Sequence, residues 1–332
     1  MSGRFAPSPT GMLHLGNLRT ALLAWLAARS TDRSFVVRME DLDRVQAAPE
    51  HERRQLDDLA SIGLDWDGDV IRQSERFDLY RDALAVLRDR GLVYECFCTR
   101  REVRAEIEAA SSAPHLPPGS YPGTCRTLTA KRRSAFLADG RTSALRLRAS
   151  ESMAADRPEL IGFDDIVAGH FAGGVDDVVL QRNDGVPSYN LAVVVDDASQ
   201  GVTQVVRGDD LLDSTPRQIH LQRLLGLSTP AYGHVPLVFG DDGERLSKRH
   251  GSVSLDDLSS HGVGIDAIVG ELLASGGLPS GVGDPSTTLR GVATGFDLAS
   301  VRRGPATFEP APGTPATFVL RNVRRTGRQS TQ

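Results

Sequence analysis

The chain has 332 residues, with 43 acidic against 38 basic side chains, a formal net charge of -5 and a 40% hydrophobic share. That balance excludes a disordered or fibrous chain and a strongly basic nucleic-acid coat, and leaves room for one large core or two modest ones. The start MSGRFAPSPT lacks a signal-peptide core, Ala21–Ala28 is far short of the roughly 20 apolar residues of a membrane span, and three cysteines make no disulfide framework; a cytoplasmic protein with no membrane contact follows.

Strand and helix patterns alternate over the first 95 residues. Arg4–Ala6 reads as extended, and Pro7 and Pro9 forbid a helix there. The run LRTALLAWLAA predicts a helix over Asn17–Ala28, with Asn17 or His14–Gly16 at its start. Ser34–Met39 reads as a strand. Pro49 suits N1 of a helix ending at Gly63, and Ser74 opens another whose C′ residue is Gly91. VYECFC is a short apolar piece, after which Thr99 and Glu102 form a capping box before REVRAEIEAA. The Pro, Gly and Ser rich loop that follows marks an insertion between two halves of a core.

The pattern resumes with a strand at Asp177–Arg182 and a tight turn at Asn183–Gly185. Tyr189–Val195 fits either a strand or a helix. Val202–Val206 is a strand, and Thr215 as N-cap with Pro216 at N1 starts a helix to Leu225. Val235–Phe239 is a further strand, followed by a turn at 241–243. After Gly251 the pattern is helical to about 278; from there it is rich in Gly, Ser, Pro and Thr. The Arg-bearing end reads as a frayed, solvated tail. The alternation predicts an α/β fold.

Two segments carry a phosphate-handling pattern. RFAPSPTGMLHLGNLRTALL, residues 4–23, runs from a strand through a Pro/Gly turn to HLGN at a helix start. Glycines let a ligand approach the backbone, a helix N-terminus holds phosphate, and His14 and Asn17 are three apart on one face. GERLSKRHG, residues 243–251, follows a strand and a turn, and its loop can close over phosphates with Lys248 as a mobile point charge beside Arg245. Each segment alone is weak.

Together they resemble the HIGH and KMSKS signatures of class I aminoacyl-tRNA synthetases, here HLGN and RLSKR. RMEDLD, GLDWDG, RQSERFDLY, YNLAVVVDD and VVRGDDLLDSTPRQIHL resemble the glutamyl/glutaminyl branch over about residues 3–260. The resemblance implies a Rossmann-type catalytic core that joins L-glutamate to ATP, with Mg²⁺ accompanying the nucleotide. It implies that Arg4, Phe5, Ala6, Pro7 and Ser8 form the strand gripping glutamate, with Arg4 on a carboxylate. Glu40 would take the ammonium, and Tyr189 and Arg207 the remaining pocket, with Arg207 on the side-chain carboxylate. His14, Asn17 and Lys248 would carry catalysis, and His14, Gly16, Asn17, Arg245 and Lys248 would hold ATP. Two arginines and one glutamate match a ligand with two carboxylates and one ammonium.

Cys96, Cys98 and Cys125 in a cytoplasmic protein suggest structural zinc, one ion per chain. From chemistry alone the fourth ligand would be His115, an imidazole. The pattern CxC…YxxxC resembles the glutamyl-queuosine tRNA(Asp) synthetase branch and implies Tyr121 instead. Only residues 252–332 follow Gly251, too few for both a stem-contact region and an anticodon-binding domain. This too resembles the glutamyl-queuosine branch, which activates glutamate without tRNA and transfers it to queuosine at the first anticodon position of tRNA(Asp). A minimal glutamyl-tRNA synthetase charging the ordinary 3′ end is the alternative. The expected organisation is a first half-core (1–95), an insertion with the zinc segment and an acceptor-like subdomain (96–175), a second half-core (176–251), a short, mostly helical stem-contact segment (252–305) and a flexible tail (306–332). The family implies a monomer.

Overall fold

The computed structural model describes residues 1–109, 120–149, 160–240, 253–280, 283–310 and 318–322. The amino-terminal half-core consists of β1 (Ser2–Phe5), α1 (Leu15–Arg29), β2 (Ser34–Met39), α2 (Pro49–Ser61), β3 (Ile71–Arg72) and α3 (Phe77–Asp89). An insertion follows with β4 (Val93–Cys96), α4 (Arg100–Ala109), α5 (Ala130–Ala138), β5 (Ala144–Leu147), the hairpin β6 (Leu160–Asp165) and β7 (Gly169–Gly174), and β8 (Val179–Gln181). The second half-core has α6 (Tyr189–Ser199), β9 (Val202–Gly208), α7 (Thr215–Leu225), β10 (Ala231–Val235) and β11 (Val238–Phe239). The chain then forms α8 (Leu255–Ser260), α9 (Ile265–Ser275), α10 (Pro285–Ala293), β12 (Ala306–Pro310) and β13 (Phe318–Asn322).

The central sheet has the order β10-β9-β1-β2-β3, and every pairing in it is parallel. The winding therefore starts in the middle at β1, moves out one way to β3, and returns to the other side of β1 with β9. This is the doubly wound arrangement, in which ligands lie at the carboxyl ends of the strands where the order reverses. The insertion adds a separate antiparallel sheet, β4-β5-β8, and the β6-β7 hairpin.

α1 is the hub of the core. Its residues Leu15, Leu18, Leu22, Leu23, Trp25 and Leu26 are all buried, because β1 and β9 cover one side while α9 and α10 cover another. Even its arginine is inside. Arg19 donates from Nε to Ser275 Oγ at 2.9 Å and from one terminal nitrogen to the Pro236 carbonyl at 2.7 Å. Burial lowers its pKa to about 10, with Asp209 pulling the other way. Arg19 thus ties α1 to α9 and to the β10–β11 turn.

Most elements follow local sequence. Pro49 opens α2, Glu102 and Thr99 cap α4 reciprocally, and Gly91 follows α3 at φ 71°. Tyr189–Val195 resolves as the start of α6, capped by Ser188. Four others differ from what the local pattern suggests, three of them through tertiary contacts. Ser74 lies in a 3₁₀ turn ahead of α3, because its amide and hydroxyl both bind Asp41 (2.8 and 2.5 Å). Thr215 is inside α7, not its cap; its hydroxyl accepts from Arg207. The stretch 235–239 is two strands, since Pro236 has no amide to continue the ladder. In the expected flexible tail, β12 and β13 pair antiparallel and β12 adds to β11, with Leu320 buried in the main core.

The centrality of α1 sets an expectation for stability. Leu22→Ala is expected to cost about 2–5 kcal/mol and to lower the midpoint of thermal unfolding measured by circular dichroism. An unchanged midpoint would mean that this helix is not the hub of the core.

Candidate active site

The reversal point of the sheet opens into a cavity of about 730 Å³. Its walls include Arg4, Phe5, Ala6, Pro7, Ser8, His14, Asn17, Glu40, Tyr189 and Arg207. All the substrate residues expected from the sequence are therefore brought together. Arg245 and Lys248 lie outside the described residues, as does His115.

His14 is the N-cap of α1. Its Nδ1 accepts from the amides of Gly16 (3.1 Å) and Asn17 (3.3 Å), while Asn17 Oδ1 accepts from the His14 amide (3.2 Å). An Nδ1 that accepts two amide hydrogens carries no proton in the neutral ring, so the proton sits on Nε2. The HLGN segment thus caps its own helix and presents an N–H donor together with the helix N-terminus, a combination suited to phosphate. Gly16 is not on the cavity wall. It is needed because a Cβ there would sit 3.0 Å from His14 Cε1 and Nδ1.

The two expected carboxylate-binding arginines have different surroundings. Arg4 on β1 is buried, with its Nε 3.6 Å from Asp197 and one terminal nitrogen 3.4 Å from the Val206 carbonyl. Arg207, at the end of β9, is equally buried but touches uncharged groups. It donates to His234 Nε2 (3.0 Å), Gln218 Oε1 (2.8 Å), Thr215 Oγ1 (2.8 Å) and the Tyr189 hydroxyl (3.4 Å). Among the described residues it forms no ion pair, so its charge is left for a ligand.

Glu40 follows β2, where its amide donates to the Pro7 carbonyl at 2.9 Å. Burial pushes its carboxyl above the ordinary value of 4.5, against the pull of Arg38 and Arg4. Behind it, Arg38 is fully buried yet held firmly charged. Burial opposes the charge, but Asp197 at 2.8 Å, Glu40 at 3.5 Å and Asp196 at 3.7 Å outweigh it.

Sequence reasoning missed Gln55, Thr215, Gln218, His234 and Asp165. Gln55 donates to the Ser8 (3.0 Å) and Gly11 (2.8 Å) carbonyls and so shapes the loop after β1. One signal was available: Gln55 lies one turn before Leu59 on the buried face of α2, where a polar residue needs a partner.

A second cluster lies where β4 ends. The sulfurs of Cys96, Cys98 and Cys125 lie within 4.8 Å of one another, and the Tyr121 hydroxyl is 3.4 Å from both Cys96 and Cys98. A zinc ion bonded to sulfur at about 2.3 Å holds tetrahedral ligand atoms about 3.8 Å apart, so the cluster fits such an ion. Arg146 lies over the Tyr121 ring at 3.8 Å and offsets the anionic character of the donors.

Residues 1–297 match the family described as tRNA synthetases class I (E and Q), catalytic domain. The chain belongs to that family. As a class I synthetase it is 56% identical over 278 residues to the glutamyl-Q tRNA(Asp) synthetase of Nocardia farcinica, covering 84% of this chain and 85% of that one. It is 40% identical to the glutamate–tRNA ligase of Aquifex aeolicus, over 92% of this chain and 63% of the relative. The crystal structure of glutamate-tRNA synthetase from Elizabethkingia anophelis superimposes with a TM-score of 0.77 at 27% identity, covering 93% of this chain and 68% of that one.

The cap of this synthetase's α1 generates an expectation. Replacing glycine by alanine within a helix ordinarily stabilises by about 0.5–1 kcal/mol. Gly16→Ala is instead expected to lower the melting temperature, because the new Cβ drives the His14 ring from its cap. A melting temperature raised by the substitution would overturn this account of Gly16.

Proposed function

We propose that this synthetase activates L-glutamate with ATP, without tRNA, and then transfers the glutamate to queuosine at the first anticodon position of tRNA(Asp). The observation that carries the activation step is the charge pattern of the cavity: two buried arginines and a glutamate whose side chain is 11% exposed, around one space. Support for the acceptor comes from the relative named for glutamyl-Q, which is more similar than the ligase and is matched over most of its length.

In this reading Glu40 receives the substrate ammonium, Arg4 the α-carboxylate and Arg207 the side-chain carboxylate, while Tyr189 closes the wall. The α-carboxylate attacks the α-phosphorus of ATP in line, forming glutamyl-adenylate and releasing pyrophosphate. No side-chain nucleophile is required; alignment and charge stabilisation carry the step. The His14 Nε2–H, the Asn17 amide and the α1 N-terminus meet the phosphates. Lys248 and Arg245, assigned from the RLSKR segment alone, add mobile positive charge. Mg²⁺ bound with ATP would neutralise phosphate charge. A zinc ion held by Cys96, Cys98, Tyr121 and Cys125 would brace the insertion without taking part in chemistry. The protein would act as a monomer in the cytoplasm.

Incubation with radiolabelled glutamate, ATP and tRNA(Asp), with and without queuosine, tests the acceptor. Label that depends on queuosine and survives removal of the 3′ adenosine is expected; label lost with that adenosine would instead support charging of the 3′ end. Pyrophosphate exchange that strictly needs tRNA would defeat the activation step. Metal analysis of the purified protein is expected to find one zinc per chain, with most of it lost in Cys96→Ser. Full retention of zinc in that variant would remove Cys96 from the ligand set.

A further inference from the structure

Arg207 is held from behind by residues that do not line the cavity. Its Nε–H points at His234 Nε2, 3.0 Å away on the neighbouring strand β10. That nitrogen can accept only if the imidazole proton is on Nδ1. Asp165, at the end of β6, has Oδ2 2.6 Å from that Nδ1, and both side chains are fully buried. The other carboxylate oxygen accepts from the amides of Val167 (3.0 Å), Ala168 (2.8 Å) and His234 (3.0 Å), which fixes the carboxylate itself.

The ring stays neutral. Burial lowers the His234 pKa and the Arg207 charge adds to this, while the bond to Asp165 opposes them. A charged ring would turn a second N–H toward the guanidinium. The Thr215 hydroxyl accepts from Arg207 and lies 3.0 Å from His234 Nε2 and 3.2 Å from the Leu211 carbonyl; donated to either acceptor, its hydrogen leaves Nε2 without a proton of its own, the same tautomer that Asp165 selects.

We propose that Asp165 and His234 are positioning residues of the amino-acid pocket: Asp165 fixes His234 as the Nδ1–H tautomer, and the Nε2 lone pair fixes the Arg207 fork in the orientation that receives the substrate side-chain carboxylate. The proposal rests on the reading of Arg207 as the partner of that carboxylate. It explains why a buried ion-pair residue, Asp165, stands one ring away from the arginine instead of against it. Direct contact would neutralise the charge that the ligand needs, whereas the imidazole passes on orientation and keeps the two charges apart.

Asp165→Asn tests the idea with almost no change in volume. The amide oxygen can keep the three backbone bonds. The amide nitrogen must donate to His234 Nδ1, which forces the ring proton onto Nε2, facing the Nε–H of Arg207. In glutamate-dependent pyrophosphate exchange, KM for glutamate is expected to rise about tenfold or more, the scale of one hydrogen bond to a charged group. KM for ATP and kcat are expected to change little. His234→Gln, which keeps an acceptor near the Nε2 position, is expected to restore much of the glutamate affinity when combined with Asp165→Asn. An unchanged KM for glutamate in folded Asp165→Asn overturns the proposal, as does an equal rise in KM for both substrates.

If Asp165→Asn does not fold, ¹⁵N NMR of the wild-type histidines decides, with His234→Gln assigning the signal. An Nδ1–H tautomer at neutral pH supports the proposal, and an Nε2–H or doubly protonated ring overturns it. Wild-type protein with no glutamate-dependent exchange would defeat the functional reading itself. Wild-type exchange with an unaltered variant defeats only the positioning role.

Discussion

Taking a guanidinium out of water costs several kcal/mol unless its donors and charge are matched, and this fold buries three of them side by side at the mouth of one sheet. Arg4, Arg38 and Arg207 lie on β1, β2 and β9, which are neighbours in the parallel ladder. Most of what surrounds the cavity is there to satisfy them. Arg38 takes the carboxylates: Asp197, Glu40 and, more distantly, Asp196, whose remaining bonds go to Gln73, Arg76 and Tyr80. Arg4 shares Asp197. Arg207 takes neutral partners. The three arginines have one chemistry and three degrees of compensation, and the two least compensated, Arg4 and Arg207, line the cavity.

This gradation separates scaffold from site. Arg38 is locked by its own protein and braces the backs of Arg4 and Glu40. Arg207 is locked in direction and left open in charge. The same economy of roles appears in HLGN, where His14 and Asn17 cap their own helix and also line the cavity. Arg19 extends the framework by joining α1 to the turn before β11, so that the helix bearing HLGN and the strand leading toward RLSKR share one buried anchor.

Much of the site was legible because its signals are local. The Pro/Gly turn into HLGN, the glutamate of RMED and the arginine ending the VTQVVRGDD strand each sit where a strand or helix ends, and the doubly wound pattern says that such ends hold ligand. Cys96, Cys98, Tyr121 and Cys125 lie within one short insertion, and the distances bring all four together. The residues that escaped notice act across long separations. Asp165 and His234 meet across 69 positions, and Gln55 reaches Ser8 and Gly11 across more than 40. Ser74 and Thr215 were read as helix openers because their local grammar is right, but the Asp41 carboxylate and the buried Arg207 guanidinium claimed their hydroxyls first. The final strands β12 and β13 were read as tail because a segment rich in Gly and Pro gives little periodicity, and only the open edge at β11 makes strands of it.

The sequence by itself determined the family, the order of strand and helix, the HLGN helix start, the cysteine cluster and the charges that line the cavity. These depend on residue type and short spacing, which the chain carries wherever it goes. The tertiary structure decided which of those charges stays open to a ligand. A guanidinium's availability is a property of its neighbours, and for Arg207 they come from β6, β10 and α7, which are adjacent only after the sheet has closed around β1. The tautomer of His234 was decided in the same way, by a carboxylate that no local pattern connects to it.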